Sequence, residues 1–224
     1  MRGAVLLDLD GVLLDSRDAH LSTLAGVATA SLGRRITTAD LPPHAATTPR
    51  VDVLAGLGVA DPDEICELWW APALATASAE LFPGVMDGLQ ALKDADVVTG
   101  LVTLQSRSRL PWLLPPATLG LLDTWVCRED AQPKPAPDGI FLALTRLGVG
   151  PREAVFVGDT FTDRQAALEA GVAFAGAGWG YVGTEGLAAA GMSVLLSEPT
   201  QIGPGLLDLI RTGSNPRRVT TRNQ

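Results

Sequence analysis

Six short apolar runs, separated by stretches of helical period, limit most strongly how this chain can fold. They are Val5–Leu9, "VVTGLVTL" (Val97–Leu104), "TWVC" (Thr124–Cys127), "AVFVGD" (Ala154–Asp159), "VAFAG" (Val172–Gly176) and "SVLL" (Ser193–Leu196). Runs this short, without polar alternation, suit strands buried on both faces better than helices. Between them, "VMDGLQALKDA" places Val85, Leu89 and Leu92 on one helical face. "GIFLALTRLGV" does the same with Ile140, Leu144 and Leu147 before Gly148 stops it. Strand and helix in alternation predict an α/β fold built on a mostly parallel, doubly wound sheet.

Residues 17–82 break the rhythm. They are alanine-rich and read as helical in "AHLSTLAGVATASLG", "RVDVLAGLG" and "DPDEICELWWAPALATASAELF", with Pro42, Pro43 and Pro49 at the joins. The expected organisation is a core domain of residues 1–16 and 83–212, with an all-helical insertion at 17–82. The polar end "SNPRRVTTRNQ" has no apolar period, and 213–224 is expected to be a disordered tail.

Composition narrows the partners. The formal charge of −8 has the wrong sign for a phosphate backbone, so a small molecule is expected and a nucleic acid is not. No apolar segment is long enough to span a bilayer, and Asp8 and Asp10 interrupt the first run before a signal-peptide core forms, so no membrane partner is expected. Two unpaired cysteines, Cys66 and Cys127, suit a reducing cytoplasm. The chain is expected to act as a monomer or homodimer. Among 17 basic residues only Lys93 and Lys134 are lysines.

The charged residues gather where a parallel sheet binds ligands, beyond the carboxyl ends of its strands. Asp8 and Asp10 sit in "DLDGV" at the first such end, Asp159 closes "AVFVGD", and Asp163 follows in "GDTFTD". Four carboxylates so placed repel one another unless a cation compensates them, and a hard, oxygen-liganded ion such as Mg²⁺ suits them. Thr103 at the end of "LVT" and Lys134 in "PKPAPDG" add a hydroxyl and an ammonium at the same rim, a receptor for phosphate. Taken singly, Asp163 reads equally well as a helix cap, and Thr103 as a strand-end hydroxyl.

"DLDGV", "LVTL", "PKPAPD" and "GDTFTD", in this order, resemble the four motifs of the haloacid dehalogenase superfamily, with the helical insertion where subfamily I members carry a cap. The resemblance implies a Mg²⁺-dependent phosphatase. Asp8 would be the nucleophile that becomes an aspartyl-phosphate, and Asp10 the general acid and then base. Thr103 and Lys134 would hold the transferring group, and Asp8, Asp10, Asp159 and Asp163 would hold the metal. Gly11, Thr103, Gln105, Arg107 and Arg50 are the expected substrate contacts. Arg34, Arg35 and His44 are further candidates in the insertion.

Within the superfamily, Asp10 argues against a dehalogenase, and a lysine-free insertion argues against an imine-forming hydrolase. Sugar phosphomutases share "KPAP" but usually carry Glu-Asp where this chain has Gly158 and Asp159. The fourth motif, followed by "AGVAFAGAGWGYVG", looks most like phosphoglycolate phosphatase and its relatives. The second motif departs from that group, reading Leu104, Gln105, Ser106, Arg107 where Asn-Lys commonly follows the threonine. Arg107 either takes over an anion-binding role or is a solvated arginine at a helix start. "GWGYVG" (Gly178–Gly183) fits a dinucleotide fingerprint but follows the fifth run, so it reads instead as a loop lining the crevice. A phosphomutase and a catalytically silent binding module are the competing readings.

Overall fold

The computed structural model describes residues 3–192 and 194–212. The expected tail, 213–224, lies outside the described residues. The chain forms two compact units, one from the chain up to Leu14 together with the chain from Leu81 onward, the other from Asp15–Glu80. Each join falls two residues earlier in the chain than the sequence reading put it.

In chain order the elements are β1 (Ala4–Leu7), β2 (Leu14–Asp15), α1 (Arg17–Leu32), α2 (Arg50–Gly56), α3 (Pro62–Leu74), β3 (Glu80–Leu81), α4 (Val85–Asp94) and β4 (Val98–Val102). There follow α5 (Leu110–Leu113), α6 (Pro116–Leu119), β5 (Thr124–Val126), α7 (Asp138–Leu147), β6 (Ala154–Gly158), α8 (Phe161–Ala170), β7 (Ala173–Ala177), α9 (Gly183–Ala189), β8 (Leu195–Leu196) and α10 (Pro204–Thr212). Six strands make a sheet in the order β5-β4-β1-β6-β7-β8. All of its pairings are parallel, with Ala4 opposite Val98 on one side and Ala154 on the other.

Strand β1 is fully buried, and its alternating side chains feed two cores. Val5, Leu7 and Leu9 pack with Val85, Leu89 and Leu92 of α4 and Leu206 of α10. Ala4 and Leu6 pack on the opposite face with Ile140, Ala143 and Leu144 of α7 and Ala166, Ala167 and Ala170 of α8. A strand covered by helices on both sides needs an unbroken apolar run, the pattern the sequence carries. Helix α7 ends where expected, at Gly148 in the left-handed conformation (φ 69°).

The inserted unit has its own core. Leu24, Val27 and Ala28 of α1 meet Val53 and Leu54 of α2 and Cys66 of α3. Its last helix is shorter than the alanine-rich stretch suggests. It stops at Leu74, two residues after Pro72, and the chain is extended again by Glu80. Alanine favours helix everywhere and so marks no end. No helix among the described residues is long and apolar enough to cross a membrane.

Two helical glycines are expected to respond to alanine with opposite signs. A Cβ at exposed Gly26 in α1 meets nothing within 4 Å, so Gly26→Ala should stabilise by about 0.5–1 kcal/mol. A Cβ at Gly88 in α4 would lie 2.7 Å from the backbone oxygen of Ile202, so Gly88→Ala should destabilise by about 1–3 kcal/mol despite the better propensity. Urea unfolding of both variants measures the two shifts.

Candidate active site

The neighbours of β1, β4 and β6, both come later in the chain and lead away in opposite directions, so a crevice opens beyond the carboxyl end of β1. Asp8 follows β1 there, and its N–H donates to the Val157 carbonyl at 2.9 Å, extending the ladder with β6 by one residue. The chain then turns sharply. Gly11 adopts φ +79°, its N–H donates to the Leu14 carbonyl, and the N–H groups of Leu13 and Leu14 both donate to the Leu9 carbonyl at 2.9 Å. Leu9 stays in the core while Asp8 and Asp10, two residues apart, stand on the other side of the chain.

Lys134, in the loop before α7, holds the carboxylates together. Its Nζ lies 2.8 Å from Asp8 Oδ1 and 2.6 Å from Asp163 Oδ1, and donates to the Val102 carbonyl at 3.3 Å. Beneath it, 5.4 Å away, is the ring of Phe156 on β6. Asp163 divides its two oxygens between tasks. Oδ2 accepts from the N–H and Oγ1 of Thr160 at 3.0 and 2.5 Å, closing the cap of α8, while Oδ1 faces Lys134. The cap and the ion pair are therefore both present in one side chain.

Asp159 follows β6 and is fully buried. Its Oδ2 accepts from the Tyr181 N–H at 2.6 Å, whereas Oδ1 has no hydrogen-bond partner among the described residues. Gly11 and Gly180 both press against this carboxylate so closely that a Cβ at either would collide with it. The loop after β7 thus lines the crevice, as "GWGYVG" suggested, and Trp179 Nε1 ties it to the Val12 carbonyl at 3.1 Å.

Oxygens of Asp8, Asp159 and Asp163 converge within 4.8 Å of one another. Burial pushes the Asp8 carboxyl up to about 7, with Lys134 opposing the shift and Asp163 and Asp10 adding to it. Asp159 is likewise raised well above the ordinary carboxylate range, by burial first and then by the charges of Asp163 and Asp8. Burial works against the Lys134 ammonium, but Asp163 and Asp8 outweigh it and hold it above the usual lysine value. One ammonium among three carboxylates leaves two negative charges uncompensated when all ionise. The orphaned Asp159 oxygen and the all-oxygen donor set fit a hard divalent cation.

The other expected residues separate. Thr103 is buried directly after β4, where its Oγ1 accepts from the Gln105 N–H at 3.1 Å. Gln105 is turned onto Asp10, donating from Nε2 to Oδ2 at 2.8 Å. Arg107 pairs with Asp130, and its N–H donates to Glu129, so its guanidinium is held at the surface. Arg50 lies in the inserted unit with its guanidinium 4.9 Å from the ring centre of Trp70. Arg34, Arg35 and His44 are exposed on that unit. Sequence reasoning missed Arg109, which donates to Gln105 Oε1 at 2.7 Å, and the Tyr181 N–H. For Tyr181 the glycine-rich loop was the available signal.

Fold and site define an α/β protein that gathers carboxylates and a lysine at the carboxyl ends of a parallel sheet. Comparison with known families makes this specific. The model of the haloacid dehalogenase-like hydrolases matches residues 5–177, and the chain belongs to that family. It is 31% identical to Pyrophosphatase PpaX of Bacillus velezensis over 83% of this chain and 88% of that one. It is 37% identical to the phosphoglycolate phosphatase of Xylella fastidiosa over 79% and 80%. A hydrolase from Pseudomonas syringae shares the fold, with a TM-score of 0.73 at 20% identity over 93% and 99% of the two chains.

Raising the Asp8 pKa from 3.8 to about 7 means that the fold binds a proton the unfolded chain has released. Its stabilising contribution is full below 3.8 and is lost as pH rises through about 7. In chelator-treated protein, thermal melting between about pH 5 and pH 8 should fall more steeply for wild type than for Asp8→Asn, which carries no such proton.

Proposed function

We propose that this protein is a Mg²⁺-dependent phosphatase that hydrolyses a small phosphorylated metabolite through an aspartyl-phosphate on Asp8. The observation that carries this reading is the Lys134 ammonium set between Asp8 and Asp163 at the rim of β1. A nucleophilic carboxylate beside a fixed cation is what attack on an anionic phosphorus requires. Asp8, Asp159 and Asp163 would hold Mg²⁺, with the backbone turn at Asp10 beside them. The ion supplies positive charge that lets one anion approach another.

In the first step a carboxylate oxygen of Asp8 forms a bond to phosphorus as the bond to the ester oxygen breaks. Asp10 gives its proton to the departing oxygen. In the second step Asp10, now a base, takes a proton from water as the water oxygen attacks the same phosphorus. The acyl-phosphate bond breaks, inorganic phosphate leaves and Asp8 is restored. Thr103 bonds a phosphoryl oxygen, while Lys134 neutralises charge on Asp8 and on the transferring group. The helical insertion corresponds in this reading to the family's cap.

Phosphoglycolate and similar small monoesters are the proposed substrates, supported by the relative from Xylella fastidiosa. The Bacillus velezensis relative supports a second reading in which pyrophosphate is cleaved. A mutase is disfavoured by the packing at Gly158, where a Cβ would collide with Asp163 and an acidic side chain has no room.

The test is release of inorganic phosphate from a panel of phosphomonoesters that includes 2-phosphoglycolate, with pyrophosphate alongside, with and without Mg²⁺. Release should depend on Mg²⁺ and fall at least about a thousandfold in Asp8→Asn. No release from any compound, or undiminished release by the variant, would overturn the reading.

A further inference from the structure

We propose that Arg109 and Gln105 form a directional relay that fixes the orientation of the Asp10 carboxyl group, making Gln105 a positioning residue and not a substrate contact. The proposal rests on the phosphatase reading, in which Asp10 acts as acid and base.

Gln105 is 8% exposed, and every polar group it has is engaged. Its N–H donates to Thr103 Oγ1 at 3.1 Å, and its carbonyl accepts from the Arg128 N–H at 3.1 Å. The side-chain Nε2 donates to Asp10 Oδ2 at 2.8 Å, while Oε1 accepts from Arg109 Nη1 at 2.7 Å. The backbone is thus pinned on both sides and the amide is held at both ends. The second hydrogen on Nε2 has no partner among the described residues.

The chemistry of the two ends gives the amide one direction. A guanidinium can only donate, so the amide oxygen must face Arg109, and the NH₂ is thereby turned to Asp10. Aligned dipoles strengthen one another, so the charge of Arg109 makes the N–H groups of Gln105 better donors. A carboxyl group turns easily about its last torsion. Donation from Gln105 Nε2 to Oδ2 holds that torsion, so Asp10 meets the leaving oxygen and the incoming water in one orientation.

The residues of the relay lie after β4, whereas Asp10 lies after β1, 95 positions from Gln105 in the chain. The relay therefore couples the second strand end to the proton donor at the first. Misplacing a catalytic group by about 1 Å can cost a hundredfold in rate, so loss of such a brace should register in turnover and not in binding.

Gln105→Met keeps the volume and removes both hydrogen bonds. With a phosphomonoester that the wild type hydrolyses, this variant should lose about 10- to 100-fold in kcat while KM stays within about twofold. Gln105→Glu retains an acceptor for Arg109 but sets a carboxylate against Asp10, and should lose at least as much. Arg109→Met, which cuts only the outer link, should lose about three- to tenfold, and it carries the test alone should Gln105→Met fail to give a native melting transition. In an Asp10→Asn background, Gln105→Met should change the residual rate less than about twofold, because the group being positioned is gone. A raised KM at unchanged kcat, wild-type turnover by the Met and Glu variants, or an equal further loss in the Asp10→Asn background would each overturn the relay. Wild-type and Asp8→Asn protein in the same assay test the parent reading. Turnover that requires Asp8 while Gln105 is silent overturns the relay alone, whereas no turnover by wild type overturns both.

Discussion

A single ammonium, Lys134 Nζ, touches carboxylates from two different parts of the chain, and the rest of the site is arranged around it. Asp8 comes from the end of β1, Asp163 from the first turn of α8, and the Val102 carbonyl from the end of β4. Burying charge is costly unless it is paired and hydrogen-bonded. The ammonium meets that requirement for itself, since the two carboxylates and one carbonyl give its three protons partners. It does not meet the requirement for the carboxylates. Asp159, the third of them, keeps one oxygen without a partner among the described residues, and the excess of negative charge is what suits the cluster to a divalent cation.

Such a cluster needs a rigid support, and the sheet supplies one. Val5 and Leu7 point into one helical layer, Ala4 and Leu6 into the other, so β1 is gripped from both faces up to the residue before Asp8. The ladder to β6 continues one residue further, through the Asp8 N–H. What leaves the sheet at that point is a short, hydrogen-bonded turn. Polar chemistry at the strand end is therefore as firmly placed as the aliphatic core beneath it.

Much of this was legible in the sequence because the same physics writes both patterns. Strands covered on both faces must be apolar, and a carboxylate at the end of an apolar run stands out, so Asp8, Asp159 and the strands bearing them were visible. Lys134 was visible because the chain has so few lysines. The limits were equally physical. Alanine has no face, so the end of α3 could not be located. Gln105 was expected to contact the substrate and Arg107 either to bind an anion or to be solvated, because the sequence does not state their partners. One lies against Asp10, far away in the chain, and the other against Asp130. Asp163 read as either a cap or a site residue, and the structure shows why the alternatives could not be separated: its two oxygens serve both.

The crowding at Gly158 ties two positions of the chain to one another. With Asp163 in place, position 158 has room for a hydrogen and little more, since a Cβ there would collide with the Asp163 side chain. An acidic residue at 158 and an aspartate at 163 are therefore alternatives for the same volume. A change at one of the two positions alone therefore gives either a chain with both side chains, which is overfilled, or one with neither, which leaves Lys134 short of a partner.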